Sequence, residues 1–204
     1  MSKKIILFGG TFDPIHRGHI QAAQSAMEYL GAERVVFIPA GRSPHKKQPP
    51  VASNTDRLEM IRLAIAGSAC FEVSDCELRR PQPSYTLDTV LEFRSRFDRQ
   101  TDLIWLVGAD AVHDLPRWHR IDQILSAAAI AVMYRSGYLK PDFSSCRSVF
   151  TPSQIQKLEQ NIVPIPLVDI SSTDIRACLA RGQDVGNRVP PQVADYIRDH
   201  GLYR

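Results

Sequence analysis

Five short apolar runs, separated by amphipathic segments, constrain the fold of this chain more than any other feature. Each run is dense in Ile, Val and Leu and does not alternate with polar residues. Such runs are typical of strands in a parallel sheet that is covered on both faces. A weaker run at 71–74 is a further candidate. The five runs occupy residues 5–8, 35–38, 103–107, 129–134 and 165–170.

The segments between these runs have helical character. A first helix is predicted at 18–30, ended by Gly31, and a second at 56–66, with Thr55 as its cap and Gly67 as its stop. Strand and helix alternate, which predicts an α/β fold with right-handed crossovers: a Rossmann-like, doubly wound and mostly parallel sheet with flanking helices. Further helices are predicted at 87–97, 174–181 and 191–199.

The domain organisation follows from the same pattern. We expect one domain over 1–204, with a small helical C-terminal part at about 171–204. The stretch 135–162 contains Gly137, Pro141 and Pro152 among polar residues, and is interpreted as a surface excursion with one short helix. Residues 124–134 are predicted to be a helix end that runs into a buried strand.

Charge and cysteine content narrow the function classes. A formal net charge of +3 fits a small substrate that carries phosphate and is too low to indicate nucleic acid. The four cysteines form no C-x-x-C pair, so reduced thiols are favoured over zinc or disulfides. No apolar stretch is long enough to cross a bilayer, and the N-terminus does not resemble a signal peptide. We therefore expect a cytoplasmic protein that binds neither nucleic acid nor membrane.

The sequence GGTFDPIHRGH, residues 9–19, follows the first predicted strand. Gly9 and Gly10 allow a sharp turn and a close approach of backbone to a ligand. Thr11 adds a hydroxyl and an N–H group. A helix that begins near Gly18 would direct its N–H groups and positive dipole end to the same place, which predicts an anion site.

Two histidines complete this stretch. His16 and His19 can donate ring N–H bonds to phosphate oxygens, and a triphosphate suits them better than a sugar. Three simpler interpretations of these residues stay open. The glycine pair is commonly only a turn, the histidines could be half of a metal site that lacks a third ligand nearby, and Asp13 could only cap a turn before Pro14.

A second polar stretch, ISSTDIR at 170–176, follows the last predicted strand and opens a helix. Ser171, Ser172 and Thr173 offer hydroxyl and N–H groups at a helix N-terminus, and Arg176 adds a cation one turn later. An ordinary Ser/Thr cap beside a surface arginine is the alternative.

Taken together, these stretches resemble a known family. His16-Arg17-Gly18-His19 is similar to the T/H-x-G-H signature of the nucleotidyltransferase superfamily, which class I aminoacyl-tRNA synthetases carry in a related form. ISSTDIR resembles the I-S-S-T-x-I-R motif that completes the site in those nucleotidyltransferases. With the order of the other motifs, the chain resembles the bacterial nicotinate mononucleotide adenylyltransferases. Those motifs are SPHK at 43–46, YTLDTV at 85–90, GADAVHDLPRWHR at 108–120 and the tail at 189–203.

The resemblance implies transfer of AMP from ATP to nicotinate mononucleotide, without a covalent enzyme intermediate, and with Mg²⁺ that accompanies ATP rather than a protein metal site. It implies catalytic roles for His16, His19 and Arg176. Partners would be the two nucleotides, and a homo-oligomer is left open. The implied ATP-binding residues are Gly9, Gly10, Thr11, Phe12, His16, Gly18, His19, Gly108, Asp110, Ser171, Ser172, Thr173 and Arg176.

The implied acceptor side involves other loops. Trp118 would stack on the pyridine ring, although a tryptophan next to a proline is usually a packing residue. Thr86 would bond the nicotinate carboxylate or only cap a helix. Asp110 would bind a ribose hydroxyl, orient magnesium or cap a helix. The implied substrate-binding residues are Thr11, His45, Lys46, Tyr85, Thr86, Asp110, Trp118 and Arg135.

Other functions are weighed against this one. Pantetheine-phosphate adenylyltransferase is disfavoured by the length of the chain and by the LPRW and YTLDT stretches. Preference for nicotinamide mononucleotide stays open, since carboxylate and amide differ by one charge. A non-catalytic nucleotide sensor is disfavoured by the histidines and Arg176. His113, His119 and His200 are predicted to be surface or packing residues.

Overall fold

The computed structural model describes residues 3–42, 48–135, 139–166 and 168–204, with Arg135 described by its backbone alone. Within these ranges, six strands form one parallel sheet in the order β3-β2-β1-β4-β5-β6. The strands are β1 (Lys4–Gly10), β2 (Arg34–Pro39), β3 (Phe71–Val73), β4 (Asp102–Gly108), β5 (Ala129–Arg135) and β6 (Ile162–Ile165).

Helices cover both faces of the sheet. The two buried apolar clusters lie on opposite faces, one under α1, α2, α7 and α8 and the other under α4, α5 and α6. Two 3₁₀ segments, Ala109–Arg117 and Ser144–Cys146, complete the described part of the chain. The helices are α1 (Arg17–Leu30), α2 (Asn54–Ile65), α3 (Cys76–Arg79), α4 (Thr86–Arg96), α5 (Ile121–Ala127), α6 (Pro152–Gln160), α7 (Ser172–Ala180) and α8 (Pro191–Asp199).

The strand order reverses direction at the centre of the sheet. From β1 the chain moves outward through β2 and β3, then crosses to the other side of β1 and moves outward through β4, β5 and β6. Such a reversal opens a crevice at the carboxyl ends of the two central strands, and ligands of doubly wound folds bind there. The predicted Rossmann-like fold is confirmed, and its crevice lies between β1 and β4.

The prediction of a strand at 165–170 was wrong. The sixth strand lies earlier, at Ile162–Ile165, where Val132 to Arg135 of β5 pair with it in parallel register. It is an edge strand, which tolerates Pro164 because one side of it has no ladder to complete. Ile170 instead packs against the core from the connection that leads into α7.

Some helix boundaries also differ from the prediction. The cap of α2 is Ser53 rather than Thr55, because the Ser53 hydroxyl accepts a hydrogen bond from the Asp56 N–H at 3.1 Å. α7 begins two residues earlier than predicted, at Ser172. The stretch 135–162 contains, besides one short helix, a 3₁₀ turn and the start of β6. Among the described residues, no helix combines the length and apolar character that a bilayer crossing requires.

Candidate active site

A cavity of about 390 Å³ opens at the carboxyl ends of β1 and β4. Its position is the crevice that the reversal of strand order creates. The cavity is lined by residues from β1, from β4 and from the loops that follow β3 and β4. Eight residues predicted from sequence lie on its wall: Gly9, Gly10, Thr11, Tyr85, Thr86, Gly108, Asp110 and Trp118.

The glycine pair at the end of β1 is required by buried aromatic rings. A Cβ atom at Gly9 would lie 2.5 Å from a ring carbon of Trp105, and one at Gly10 would lie 2.7 Å from the ring of Phe12. Both distances are shorter than real contacts allow. The two rings therefore occupy the space that side chains at Gly9 and Gly10 would need. Without side chains at these positions, the backbone of β1 lines the cavity directly.

Phe12 lies in the core, although sequence reasoning placed it in the phosphate floor. Its side chain is 2% exposed and its ring packs edge-on against His19, with centroids 5.0 Å apart. Its φ of 48° is in the left-handed region, which turns the chain sharply after β1. Only the backbone of Phe12 is placed to contribute to a ligand site, while its side chain supports His19 from below.

His16 and His19 cap α1 reciprocally. The His16 Nδ1 accepts from the His19 backbone N–H, and the His19 Nδ1 accepts from the His16 backbone N–H, both at 3.3 Å. The rings are stacked with centroids 3.7 Å apart. Because each Nδ1 is an acceptor, each neutral ring carries its proton on Nε2. The Nε2–H groups are therefore donors, as a phosphate ligand requires.

α7 begins directly beside the same loop. The Ser172 hydroxyl donates to the Pro14 carbonyl at 2.9 Å, and Arg176 donates through Nη1 to the Asp13 carbonyl at 2.7 Å. These bonds join the two sequence motifs, which are more than 150 residues apart in the chain. The N-termini of α1 and α7 thus both lie beside residues 11–14. At the start of α1 the Arg17 N–H donates to the Arg188 carbonyl and the His19 N–H to the His16 carbonyl, each at 2.9 Å, and the positive end of each helix dipole faces the same place.

The hydroxyl groups of the second motif have partners within the protein. Ser171 caps α7 by accepting from the Asp174 N–H at 3.1 Å. Thr173 accepts from Arg176 at 3.4 Å. The Ser/Thr cap that sequence reasoning held as an alternative is therefore present at Ser171. What this stretch offers an anion is its N–H groups and the guanidinium of Arg176, which is 29% exposed.

Asp13 is the centre of a buried network that sequence reasoning did not identify. Its carboxylate accepts from the Val51 N–H at 2.8 Å, the Ala52 N–H at 3.1 Å and the Tyr203 hydroxyl at 2.8 Å. Asp13 therefore does much more than cap a turn before Pro14. It ties the end of β1 to the loop before α2 and to the C-terminus of the chain.

Arg57 supports the same loop from α2. Its side chain is fully buried, and it donates to the Thr11 carbonyl and to the Asn54 side chain, both at 2.7 Å. Burial lowers the pKa of Arg57, and the nearby Asp13 carboxylate opposes that shift. The apolar periodicity of α2 gave no signal for this residue, because a buried arginine interrupts the pattern that such helices normally show.

The opposite wall of the cavity is formed by the N-terminus of α4. Thr86 is the first helical residue, and the preceding residue, Tyr85, makes no side-chain cap. Thr86 therefore lines the cavity and does not cap the helix, so the capping alternative is excluded, while a bond from Thr86 to a carboxylate stays a prediction. The Tyr85 ring packs against His119, with centroids 4.6 Å apart. His119, which was predicted to be a surface or packing residue, is exposed, packs against Tyr85 and also lines the cavity.

Glu77 is a second cavity residue that sequence reasoning missed. It is 5% exposed, and it accepts from the Thr89 hydroxyl at 2.6 Å. Arg80 donates to the same hydroxyl, also at 2.6 Å. Burial raises the pKa of the Glu77 carboxyl, while the bonds from Thr89 and the charge of Arg80 oppose this rise. A carboxyl group thus lies below the loop that carries Tyr85 and Thr86.

The remaining predicted residues divide into two groups. Asp110 is exposed on the cavity wall in the first turn of the 3₁₀ segment after β4, and Trp118 is partly buried against the apolar cluster on the α4 side. His45 and Lys46 lie outside the described residues, as does the side chain of Arg135. In the described part of the chain, no group of three or more His, Cys, Asp or Glu side chains could hold a metal ion.

The site has two adjacent parts. His16, His19 and Arg176 do not line the cavity, whereas Thr11 does. The carbonyl groups of Asp13 and Pro14 bond to α7, and Thr11 lies on the cavity wall. The donors that could bind phosphate are therefore next to the cavity, around residues 11–14. An anion held by the helix N-termini would therefore be next to a second ligand in the cavity.

The chain is similar to known proteins over almost its whole length. Residues 7–178 match the cytidylyltransferase-like family model. A probable nicotinate-nucleotide adenylyltransferase of Thermomicrobium roseum is 39% identical over 198 residues, which are 97% of this chain and 90% of that protein. The protein of the same name from Neisseria meningitidis serogroup B is 41% identical over 201 residues, 98% of both chains.

A solved structure has the same fold. The nicotinic acid mononucleotide adenylyltransferase of Plasmodium falciparum, solved in complex with NaAD, superposes with a TM-score of 0.69. The match covers 98% of this chain and 97% of that one, at 18% sequence identity. At that identity the likeness establishes the fold alone.

Proposed function

Because the chain belongs to the cytidylyltransferase-like family and, within it, to the nicotinate-nucleotide adenylyltransferases, we propose that it transfers AMP from ATP to the 5′-phosphate of nicotinate mononucleotide. The products would be nicotinate adenine dinucleotide and pyrophosphate, as a step of NAD biosynthesis. One observation carries the proposal: two helix N-termini converge on residues 11–14, beside a cavity of about 390 Å³.

The reaction needs alignment and charge neutralisation more than proton transfer. The attacking phosphate is already an anion, so neither a general base nor a covalent intermediate is required. The bond that forms joins a phosphate oxygen of the mononucleotide to the α-phosphorus of ATP, and the bond that breaks releases pyrophosphate. Groups that hold both nucleotides in line and stabilise the charge on the leaving pyrophosphate would supply the rate enhancement.

The donors converging on residues 11–14 suit the triphosphate. In this proposal the Nε2–H groups of His16 and His19 donate to phosphate oxygens, with His19 nearer the chemistry because it is the less buried of the two. Arg176 binds the β- and γ-phosphates together with the first-turn N–H groups of α7, at Ser172 and Thr173. The backbone of Gly9, Gly10 and Thr11 forms the floor below the reacting phosphates.

The cavity suits the pyridine nucleotide. The N-terminus of α4, at Tyr85 and Thr86, carries the positive end of the helix dipole, which favours a nicotinate carboxylate over a neutral amide. Trp118 offers a ring face for the pyridine. Asp110 is placed to bind a ribose hydroxyl or to orient the metal. His45, Lys46 and Arg135 stay predicted contacts to the acceptor.

Magnesium enters this proposal as part of the substrate, MgATP. Mg²⁺ usually keeps several waters and binds through one or two carboxylates and the substrate phosphates. Asp110 on the cavity wall fits that requirement. A cytoplasmic location, a single domain over 1–204 and a homo-oligomeric state stay predictions.

The testing experiment measures pyrophosphate release by purified protein with ATP and Mg²⁺. Nicotinate mononucleotide and nicotinamide mononucleotide are offered in separate reactions. Fast release with the acid alone is the expected result. Equal release with both would retain the reaction class and contradict the acid preference. Folded protein that binds ATP but releases no pyrophosphate with either acceptor would instead support a nucleotide sensor.

A further inference from the structure

The C-terminus of the chain reaches into the phosphate site. Tyr203, the last residue but one, is 8% exposed and donates its hydroxyl proton to Asp13 Oδ1 at 2.8 Å. Its φ of 66° is in the left-handed region, which costs a non-glycine residue conformational energy. Contacts hold the residue in that conformation, and the bond to Asp13 is one of them.

The Asp13 carboxylate lies near two arginines, Arg57 and Arg176, and takes its hydrogen bonds from other donors. Oδ1 accepts from Tyr203 and from the Ala52 N–H, and Oδ2 accepts from the Val51 N–H. The Nη1 of Arg176 is 4.0 Å from Oδ2, at the limit of an ion pair, and its short bond of 2.7 Å goes to the Asp13 carbonyl instead. The carboxylate therefore does not form a close, two-bond pair with Arg176.

We propose that Tyr203 is a positioning residue of the triphosphate site, which holds the Asp13 carboxylate so that the guanidinium of Arg176 stays directed to the ATP phosphates. This inference rests on the proposed function, because it takes Arg176 to bind those phosphates. Tyr203 contacts no substrate in this scheme, and it acts through Asp13 on Arg176.

Removal of the hydroxyl leaves a buried carboxylate oxygen with one donor fewer. Buried carboxylates without enough donors turn to the strongest one nearby, and arginine forms the strongest pairs with them. Arg176 would then be drawn toward Asp13, and part of its charge would be neutralised before ATP arrives. Burial beside Asp13 raises the pKa of Tyr203, so the hydroxyl stays protonated and able to donate at physiological pH.

The chain contains a matched control for this substitution. Tyr196 also lies in the C-terminal part, and its hydroxyl donates to the Asp56 carboxylate at 3.0 Å. Asp56 lies in the first turn of α2, where its N–H and its carboxylate bond to the Ser53 cap, and it has no place in the proposed triphosphate site. Tyr203→Phe and Tyr196→Phe therefore remove the same group from the same segment, and both retain their rings.

The test is binding of a non-hydrolysable ATP analogue, α,β-methylene-ATP with Mg²⁺, by equilibrium dialysis without any acceptor. We expect Tyr203→Phe to weaken binding roughly threefold to tenfold, the usual value of one hydrogen bond. Tyr196→Phe should leave the dissociation constant within about twofold of wild type, as expected of a change remote from the site. In turnover, Tyr203→Phe should raise KM for ATP and leave KM for the acceptor unchanged.

A double-mutant cycle that combines Tyr203→Phe with Arg176→Ala tests whether Tyr203 acts through Arg176. If Tyr203 acts through Arg176, Tyr203→Phe causes no further loss of analogue binding once Arg176 is removed, since coupled residues are not additive. An equal loss on both backgrounds would overturn the inference, as would equal effects of Tyr203→Phe and Tyr196→Phe. The two proposals can fail separately. If the binding results are as expected but the protein releases no pyrophosphate, the proposed function is refuted and this inference stands.

Discussion

His16 and His19 each accept a hydrogen bond from the other's backbone N–H through Nδ1, at 3.3 Å, so one pair of side chains both begins α1 and sets its own protonation pattern. A histidine that gains a second proton cannot accept at Nδ1. The helix cap therefore requires neutral rings that carry their proton on Nε2. The same hydrogen bonds that cap α1 thus keep the Nε2–H groups as donors for a ligand.

Two substitutions of His16 distinguish its role as the cap of α1 from the role of its imidazole in the proposed reaction. Asparagine is a good cap and alanine a poor one, so His16→Ala should be less stable than His16→Asn by about 1 kcal/mol. Urea unfolding at neutral pH measures this difference. If the two variants have equal stability, the reciprocal cap contributes nothing. Both variants should lose turnover, because neither supplies the imidazole that the proposed site uses.

Removal of the His19 ring should affect the chemical step. The loss of one preorganised donor to developing charge costs about 10²–10³ in kcat. We therefore expect His19→Ala to reduce kcat by about that factor, measured as pyrophosphate release at saturating ATP and acceptor. His113→Ala, which alters an exposed histidine, is the control and should retain wild-type kcat. Near-normal turnover of His19→Ala would remove this residue from the catalytic assignment.

Much of the site could be predicted from sequence because its parts are local. The dense apolar runs located four of the six strands, β1, β2, β4 and β5, and the GGTFDPIHRGH motif lies where β1 ends and α1 begins. Asp13 shows the limit. Its donors come from Val51, Ala52 and Tyr203, and a hydrogen bond between residues 190 apart leaves no periodic signal in the chain.

Glu77 and the sixth strand show two other limits. Glutamate is read as a surface residue, and only the packing of α3 and α4 reveals that this one is buried. The residues of β5 that pair with the sixth strand are Val132 to Arg135, and their partners end at Ile165. The apolar run at 165–170 lies almost entirely beyond that pairing, so composition alone placed the strand too late. In both cases the deciding partner comes from another element.

Arg57 should be a strong determinant of stability. Its truncation to alanine would leave the partly buried Thr11 carbonyl without this donor and open space in the core. Each of these effects costs about 1–3 kcal/mol, so we expect a loss of roughly 2–5 kcal/mol in the free energy of unfolding. Arg62→Ala, on the exposed face of the same helix, should stay within about 0.5 kcal/mol of wild type. Equal effects on urea unfolding would show that the buried bonds of Arg57 have no special weight.

The burial of Glu77 predicts a pH dependence of stability. Its pKa in the folded state is raised, chiefly by burial, above the ordinary value of about 4.3 for glutamate. Between these two values the folded protein binds more protons than the unfolded chain. The contribution of Glu77 to stability is therefore greatest at low pH and falls as pH rises from about 4.3 through the folded pKa.

Glu77→Gln carries no titrating group and serves as the reference. The free energy of unfolding of wild type, minus that of Glu77→Gln, should become less favourable from pH 4 upward and level off above the folded pKa. Urea unfolding at intervals between pH 4 and pH 8 measures it. Thr89→Val removes a hydrogen bond that favours the charged carboxylate, so it should make the fall larger. A difference that is constant with pH would mean that the partners of the Glu77 carboxylate balance the penalty of burial, and a difference that grows in favour of wild type would mean that they exceed it. Either result would contradict the prediction.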